Sequence, residues 1–247
     1  MKLEKASKSK SYMRIALQGA SGSGKTYSAL RLAFGLTRND NIAIVDTENG
    51  SAHLYCSIGD YQVLQLTAPF TPERYIEAIE VCIANGVQTI VIDSLSHEWE
   101  GNGGILEMHG NSPGSNSFAN WAKITPRHNA LVQHMLSMPM HVIATMRSKQ
   151  EYSLNMDDKG RAVPQKVGMK PVQRDGIDYE FTTVLSIGMD HKATAVKDRT
   201  GLFPMETPFL ITEEVGKRLL KWADDTPKTP ASLSTNHVND YHNAYGN

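Results

Sequence analysis

Gly19-Ala20-Ser21-Gly22-Ser23-Gly24-Lys25-Thr26 is the stretch that decides how the rest of this chain is understood. It fits the pattern G-x-x-x-x-G-K-[ST] at every fixed position. Glycines let a backbone curl until several N–H groups face one set of phosphate oxygens. A helix starting near Lys25 points the positive end of its dipole at the same oxygens. Lys25 is then expected to reach the β- and γ-phosphates, and the Thr26 hydroxyl to ligate magnesium. Average residue usage gives such a match by accident in about 1% of chains this long. All eight residues, Gly19, Ala20, Ser21, Gly22, Ser23, Gly24, Lys25 and Thr26, are therefore expected to hold a nucleotide.

The surroundings of the loop fit that expectation. An apolar strand over residues 13–18 precedes it, and a helix over Lys25–Leu36 follows, with Ala29, Leu32, Ala33 and Leu36 on one face. Ile42–Asp46 and residues 61–66 have the character of strands. Thr71-Pro72-Glu73 is a helix start, and Asn85-Gly86 ends that helix. Thr89–Asp93 is an almost wholly apolar strand, residues 127–138 a helix, and residues 140–145 another buried strand. Apolar strands alternating with helices predict an α/β fold: a doubly wound, mostly parallel sheet around a P-loop.

Beyond residue 150 the pattern changes. Residues 151–178 show no convincing period and predict a long functional loop. Two strands, over 179–187 and 193–197, flank the turn Gly188-Met189-Asp190, and residues 213–223 form a last amphipathic helix. The expected organisation is a flexible basic arm over 1–11, one ATPase domain over 12–223 and a disordered tail over 224–247. The arm holds Lys2, Lys5, Lys8 and Lys10 without an apolar segment after them, so it is not a signal peptide.

Composition limits the function classes. The 247 residues are 40% hydrophobic and carry a formal net charge of -1, so nucleic-acid binding needs a local basic patch. No apolar run has the length of a membrane span, so no membrane partner is expected. Cys56 and Cys82 lack metal-ligand spacing and are expected to be reduced core thiols in a cytoplasmic protein.

Two carboxylates are placed for phosphate chemistry. Asp93 ends a buried strand, where it can hold magnesium through water. Residue 94 is Ser, so no carboxylate next to Asp93 activates the attacking water. Glu48, just past the strand Ile42–Asp46, offers a replacement. His97, Glu98 and Glu100 lack a second cluster that would make a metal site, and are expected around the active site or on a helix surface. Guanine-specific Asn-Lys-x-Asp is absent, which favours ATP over GTP. Ala20 after Gly19 removes the extra lysine of partition ATPases.

The segment Ile44-Val45-Asp46-Thr47-Glu48 resembles a RecA-like core, a resemblance spanning about residues 15–202. It implies that Glu48 is the general base. Val142-Ile143-Ala144-Thr145-Met146-Arg147 is similar to the RecA strand that ends in a γ-phosphate sensor, which puts Thr145 where that family often has Gln. Val196-Lys197-Asp198-Arg199-Thr200-Gly201 is similar to the element that RecA-like recombinases and ring helicases project into a neighbour's ATP site. Lys197 and Arg199 would then act in trans, in a ring or filament of copies. With Asp46 to Gly50 and Asp93 to His97, the set is similar to phage-encoded AAA-type ATPases with a minimal RecA core, counted among single-strand-annealing recombinases. That likeness implies a DNA-stimulated ATPase promoting annealing or recombination in the host cytoplasm. Its implied partners are single-stranded DNA, further copies and a single-strand-binding protein.

DNA contact is expected in two segments, 101–120 and 147–174. The first is glycine-rich and nearly uncharged. The second holds Arg147, Lys149, Lys159, Arg161, Lys166, Lys170 and Arg174 against three acidic residues. Tyr152 is its only aromatic, so little base stacking is expected. Two alternatives stay open: a small-molecule kinase with 147–174 as a lid, and a non-catalytic ATP-dependent switch or adaptor.

Overall fold

Apolar residues in the central strands alternate between two cores, one on each side of a sheet. In β1 (Arg14–Gly19), Ile15 and Leu17 enter one core and Ala16 the other. In β4 (Thr89–Asp93), Val91 opposes Ile90 and Ile92 in the same way. Successive side chains of a strand point to opposite faces, so a strand apolar at every position needs helices on both sides. The computed structural model of the chain describes residue 3 and residues 5–37, 41–114, 116–156 and 162–225, with 152–156 and 162–167 described by their backbone.

The helices meet that requirement. α1 (Lys25–Leu36) covers one face through Ala29, Leu32, Ala33 and Leu36. α2 (Pro72–Ala84) covers the other through Tyr75, Ala78, Ile79 and Cys82. As expected, α2 starts at Pro72 with Thr71 as cap, its hydroxyl accepting from the Arg74 N–H. The small helices α3 (Ser96–Glu100) and α4 (Ile105–Gly110) lead into α5 (Ser117–Ser137), which joins α2 on its face through Leu131, Val132 and Met135. α6 (Glu213–Asp224) joins α1 on the opposite face.

α1 and α6 meet backbone to backbone. A Cβ added at Gly35 would lie 2.1 Å from the Glu213 carbonyl oxygen, and one at Gly216 2.5 Å from that of Leu32. The stretch before β1 runs beside α6: the Ser11 N–H donates to the Ala223 carbonyl, Lys8 stands over the Trp222 ring, and Lys10 pairs with Asp224.

The remaining strands are β2 (Ile42–Asp46), β3 (Gln62–Gln65), β5 (His141–Met156), β6 (Ala162–Pro171), β7 (Thr183–Ile187), β8 (Lys192–Asp198) and β9 (Phe209–Leu210). The sheet order is β3-β2-β4-β5-β1-β7-β8-β9, and β6 pairs β5 off that path. Neighbours from β3 to β7 run parallel, while β7–β8 and β8–β9 are antiparallel. The fold is the doubly wound, mostly parallel α/β sheet that the sequence predicts.

Several expectations fail locally. The helix placed at 127–138 starts ten residues earlier, at Ser117, capped by the Asn116 side chain on the Ala119 N–H. Pro126 sits inside the helix, where it lacks the N–H for an i→i−4 bond and its ring crowds the carbonyl of Ala122, a cost the packing of α5 offsets. Consequently the segment 101–120 is no simple loop: it contains α4 and the first turn of α5. Residues 151–178 are not a long loop either. β5 continues past the sheet and pairs antiparallel with β6 from Ser148↔Pro171 to Met156↔Ala162, a two-stranded ribbon. Cys82 is buried as expected, whereas Cys56 is exposed.

Arg14, at the start of β1, is buried beneath the far end of α5. Its guanidinium donates to the carbonyls of Met13 and Met140 through Nη1, and of Leu136 and Met138 through Nη2. The last carbonyls of a helix have no partners within it and carry its negative dipole end, so a cation there satisfies both. Burial lowers the Arg14 pKa to about 10, which still leaves it charged.

Candidate active site

The parallel strands end together, and their carboxyl ends bring the chemistry to one edge. Gly19 pairs with Arg147 on one side and Ile187 on the other, while Asp46 pairs with Asp93. In open α/β sheets this edge is where ligands bind. A cavity of about 990 Å³ opens there, lined among others by Gly22, Gly24, Lys25, Thr26, Glu48, Asp93 and Arg147.

The phosphate loop curls between β1 and α1. Gly22 and Gly24 adopt φ of 81° and 89°, which side chains resist. At Gly19 a Cβ would lie 2.5 Å from Ser23 Oγ and 2.7 Å from the Ile187 carbonyl oxygen. The turn between β7 and β8 presses on the loop from outside. His191, itself at φ 62°, places Nδ1 3.0 Å from the Ser23 carbonyl oxygen and lines the cavity. No sequence motif marked His191. Lys25 opens α1 and donates to the Ala20 carbonyl at 2.8 Å. Burial lowers its pKa, an effect opposed by the charges of Asp93 and Glu48.

Thr26 and Asp93 meet at the bottom of the cavity, the hydroxyl donating to Asp93 Oδ2 at 2.6 Å. Thr145 is fully buried and donates to the other oxygen, Oδ1. Burial raises the Asp93 pKa despite these two bonds. A hydroxyl and a carboxylate side by side are hard oxygen ligands, the set magnesium takes together with water and phosphate oxygens. The residues therefore fit a magnesium nucleotide: Thr26 and Asp93 would hold the ion, and Lys25 with the loop's N–H groups the phosphates. Tyr27, Tyr55, Leu210 and Ile211 give the cavity an apolar part that suits a planar base.

Glu48 faces the same cavity, fixed from both ends. Asp46 Oδ1 accepts from the Glu48 N–H at 2.6 Å, and Asp46 Oδ2 from the Ala52 N–H at 3.0 Å. Arg147 grips the carboxylate with two nitrogens: Nε donates to Oε1 at 3.0 Å, and Nη2 to Oε2. Burial alone would raise the Glu48 pKa, but the Arg147 hydrogen bonds and charge outweigh it and keep the carboxylate ionised. Thr47 ties this turn to the end of β4, accepting from the Ser94 N–H at 2.8 Å and lying 2.7 Å from His97 Nδ1. Burial and the Arg147 charge lower the His97 pKa.

Other expected residues are dispersed. Arg147, expected with the DNA contacts, stands in the nucleotide cavity, and Lys149 lines the same cavity. Lys170 pairs with Asp175 at 2.7 Å, and Arg174 donates to Asn129 at 3.1 Å. Lys159 and Arg161 lie outside the described residues, and Lys166 is described by its backbone alone. Lys197 donates to the Asp178 and Tyr179 carbonyls at 2.8 and 2.6 Å, and Arg199 to the Tyr179 carbonyl at 2.9 Å. Both thus grip one turn, and neither lines its own chain's cavity. Glu100 lines the cavity, but Glu98 is no surface residue: it is fully buried, hydrogen-bonded to His128 at 2.9 Å and Gln173 at 3.1 Å.

The model of a family described as AAA domain matches residues 11–231. The chain belongs to the AAA domain family. The match spans the whole described sheet, and the family supports a nucleotide-binding P-loop ATPase. No curated protein matches this AAA chain. Among the described residues, no helix is long and apolar enough to cross a membrane.

Proposed function

We propose that this AAA chain hydrolyses ATP with magnesium while bound to single-stranded DNA, and that oligomers of it promote annealing or strand pairing. The observation that carries the reading is Arg147. Its guanidinium holds Glu48 at the nucleotide cavity, and its backbone leads directly into the β5–β6 ribbon. A strand lying along that ribbon would thus share one residue with the catalytic carboxylate.

The chain's own groups divide the task. Lys25 and the loop N–H groups neutralise and orient the β- and γ-phosphates. Thr26 and Asp93 hold magnesium, which when bound offsets charge on the phosphate oxygens. Thr145 orients Asp93. Glu48, ionised, accepts the proton of the water that attacks the γ-phosphate. Asp46 fixes the backbone of Glu48 and Arg147 its carboxylate, so loosening Arg147 changes how freely Glu48 takes that proton. Lys197 and Arg199, which here hold the Tyr179 carbonyl, would turn to the γ-phosphate of a neighbouring copy, giving charge stabilisation in trans.

The test is phosphate release from ATP with and without a single-stranded oligonucleotide, across protein concentration. The expected result is a rate per chain that rises with both. A rate indifferent to both overturns the proposal, and phosphoryl transfer to a nucleoside would favour a kinase instead.

A further inference from the structure

A second cavity, of about 440 Å³, lies where the ribbon joins the domain. Its walls come from three places in the sequence. Trp99 stands in α3, Trp121 in the first turns of α5, and Lys149, Lys170 and Arg174 at the base of the ribbon and just beyond it. The two indoles are half-buried and stacked, with centroids 5.9 Å apart and planes 19° apart. His109 stacks on Trp121 at 4.2 Å, and His128 meets Trp99 edge-on at 5.7 Å, so the rings are held in a row. Beneath them Gln173 is fixed, its amide donating to Glu98 and to the Leu95 carbonyl.

Nothing in the ATPase chemistry uses this cavity. Half-buried tryptophans beside cations are the composition that takes a flat π-faced group bearing a nearby anion. The volume lies in the range of small-ligand sites. Three cations and one acid, Asp175, line it. Asp175 engages Lys170, as does the more distant Glu151 at 3.8 Å. Among the described residues Lys149 has no ion-pair partner, and it also lines the nucleotide cavity, as does Val172.

We infer that the Trp99–Trp121 cavity is a stacking site for one unpaired base of single-stranded DNA, its flanking phosphates met by Lys149, Lys170 and Arg174. This rests on the reading of the ribbon as a strand contact and adds to it a base-dependent term. The site reads no sequence, because every base has a π-face.

Tryptophan emission tests it. The chain has three tryptophans, so Trp222→Phe leaves only Trp99 and Trp121 as reporters. That chain is titrated with an oligo-dT, an abasic strand of equal length and free thymidine monophosphate, each at several salt concentrations. The expected result is emission quenched by oligo-dT, and binding at least about fivefold tighter than to the abasic strand. Among the described residues Trp99 carries a stacked ring on one side only, so Trp99→Ala should erase that preference and Trp99→Tyr restore most of it, with circular dichroism checking the fold. If Trp99→Ala fails to fold, the emission and the abasic comparison decide alone. Equal binding of both strands with unchanged emission overturns the stacking site and leaves the strand reading standing. Binding of neither strand overturns both. Quenching by the free nucleotide, with no competition from the strand, overturns the assignment to DNA.

Discussion

The two cavities at the carboxyl edge of the sheet are adjacent, yet they are built in opposite ways. The phosphate site is made of consecutive residues, 19–26, plus the ends of β2, β4 and β5. The tryptophan cavity has no local core at all; α3, α5 and the ribbon each lend one wall. In the first, backbone curvature does the binding and side chains finish it. In the second, side chains do everything and the fold only gathers them. The two meet at Lys149 and Val172, and just beside them at Arg147. A contiguous site tolerates distant rearrangement, whereas a gathered site depends on every element that brings it together.

The sharpest way to separate the two regions is Glu48→Gln. Hydrolysis should fall by about 10²–10⁴-fold, the span of general-base catalysis, with oligonucleotide affinity unchanged in a nucleotide-free titration. A parallel loss of strand binding would show that the regions are one. Lys25→Ala should cost about 10²–10³-fold in phosphate release, by analogy with removal of one preorganised charge stabiliser. Arg147→Ala joins the regions, and a double-mutant cycle with Glu48→Gln measures the link. Coupled neighbours give about 0.5–3 kcal/mol; a value near zero would deny Arg147 any say over the carboxylate.

His141, at the opposite end of β5 from both cavities, serves as a control. Its Nδ1 accepts from the Met13 N–H at 3.0 Å, and burial lowers its pKa to about 4. Below its usual value of about 6.5 the unfolded chain binds a proton that the folded chain refuses. Stability is therefore fully present above that pH and drains away as pH falls toward 4, by up to roughly 3 kcal/mol. His141→Asn keeps an acceptor for Met13, and denaturant melts should lose that part of the acid dependence while hydrolysis is unaffected. The smallest effect belongs to the ribbon: Lys170→Ala with Arg174→Ala should flatten the log–log salt dependence of oligonucleotide binding by about 0.7 per lost phosphate contact.

What was legible in the sequence follows the same division. The phosphate loop, Asp93 and the alternating strands could be read because their signals are local: fixed spacing, a strand end, an apolar run. Glu48 could be placed near the nucleotide for the same reason. Its grip by Arg147, 99 residues away, could not, because only the pairing of β2 beside β4 and of β4 beside β5 brings them together. The stacked tryptophans were hidden because the helix expected at 127–138 starts at Ser117, which left Trp121 between the expected loop and the expected helix. The ribbon escaped because ladder hydrogen bonds join two strands without any apolar alternation to announce it.

Arg14 sets how motion between the cavities can travel. Its bonds to Leu136, Met138 and Met140 rivet the trailing end of α5 to the root of the strand that carries the phosphate loop. Trp121 rides at the leading end of the same helix. A helix pinned at its tail cannot work as a piston; sliding it would strand a buried guanidinium. If a base seats on the tryptophans as proposed, its route to the nucleotide would run sideways, through the ribbon root and Arg147, past a helix held at its far end.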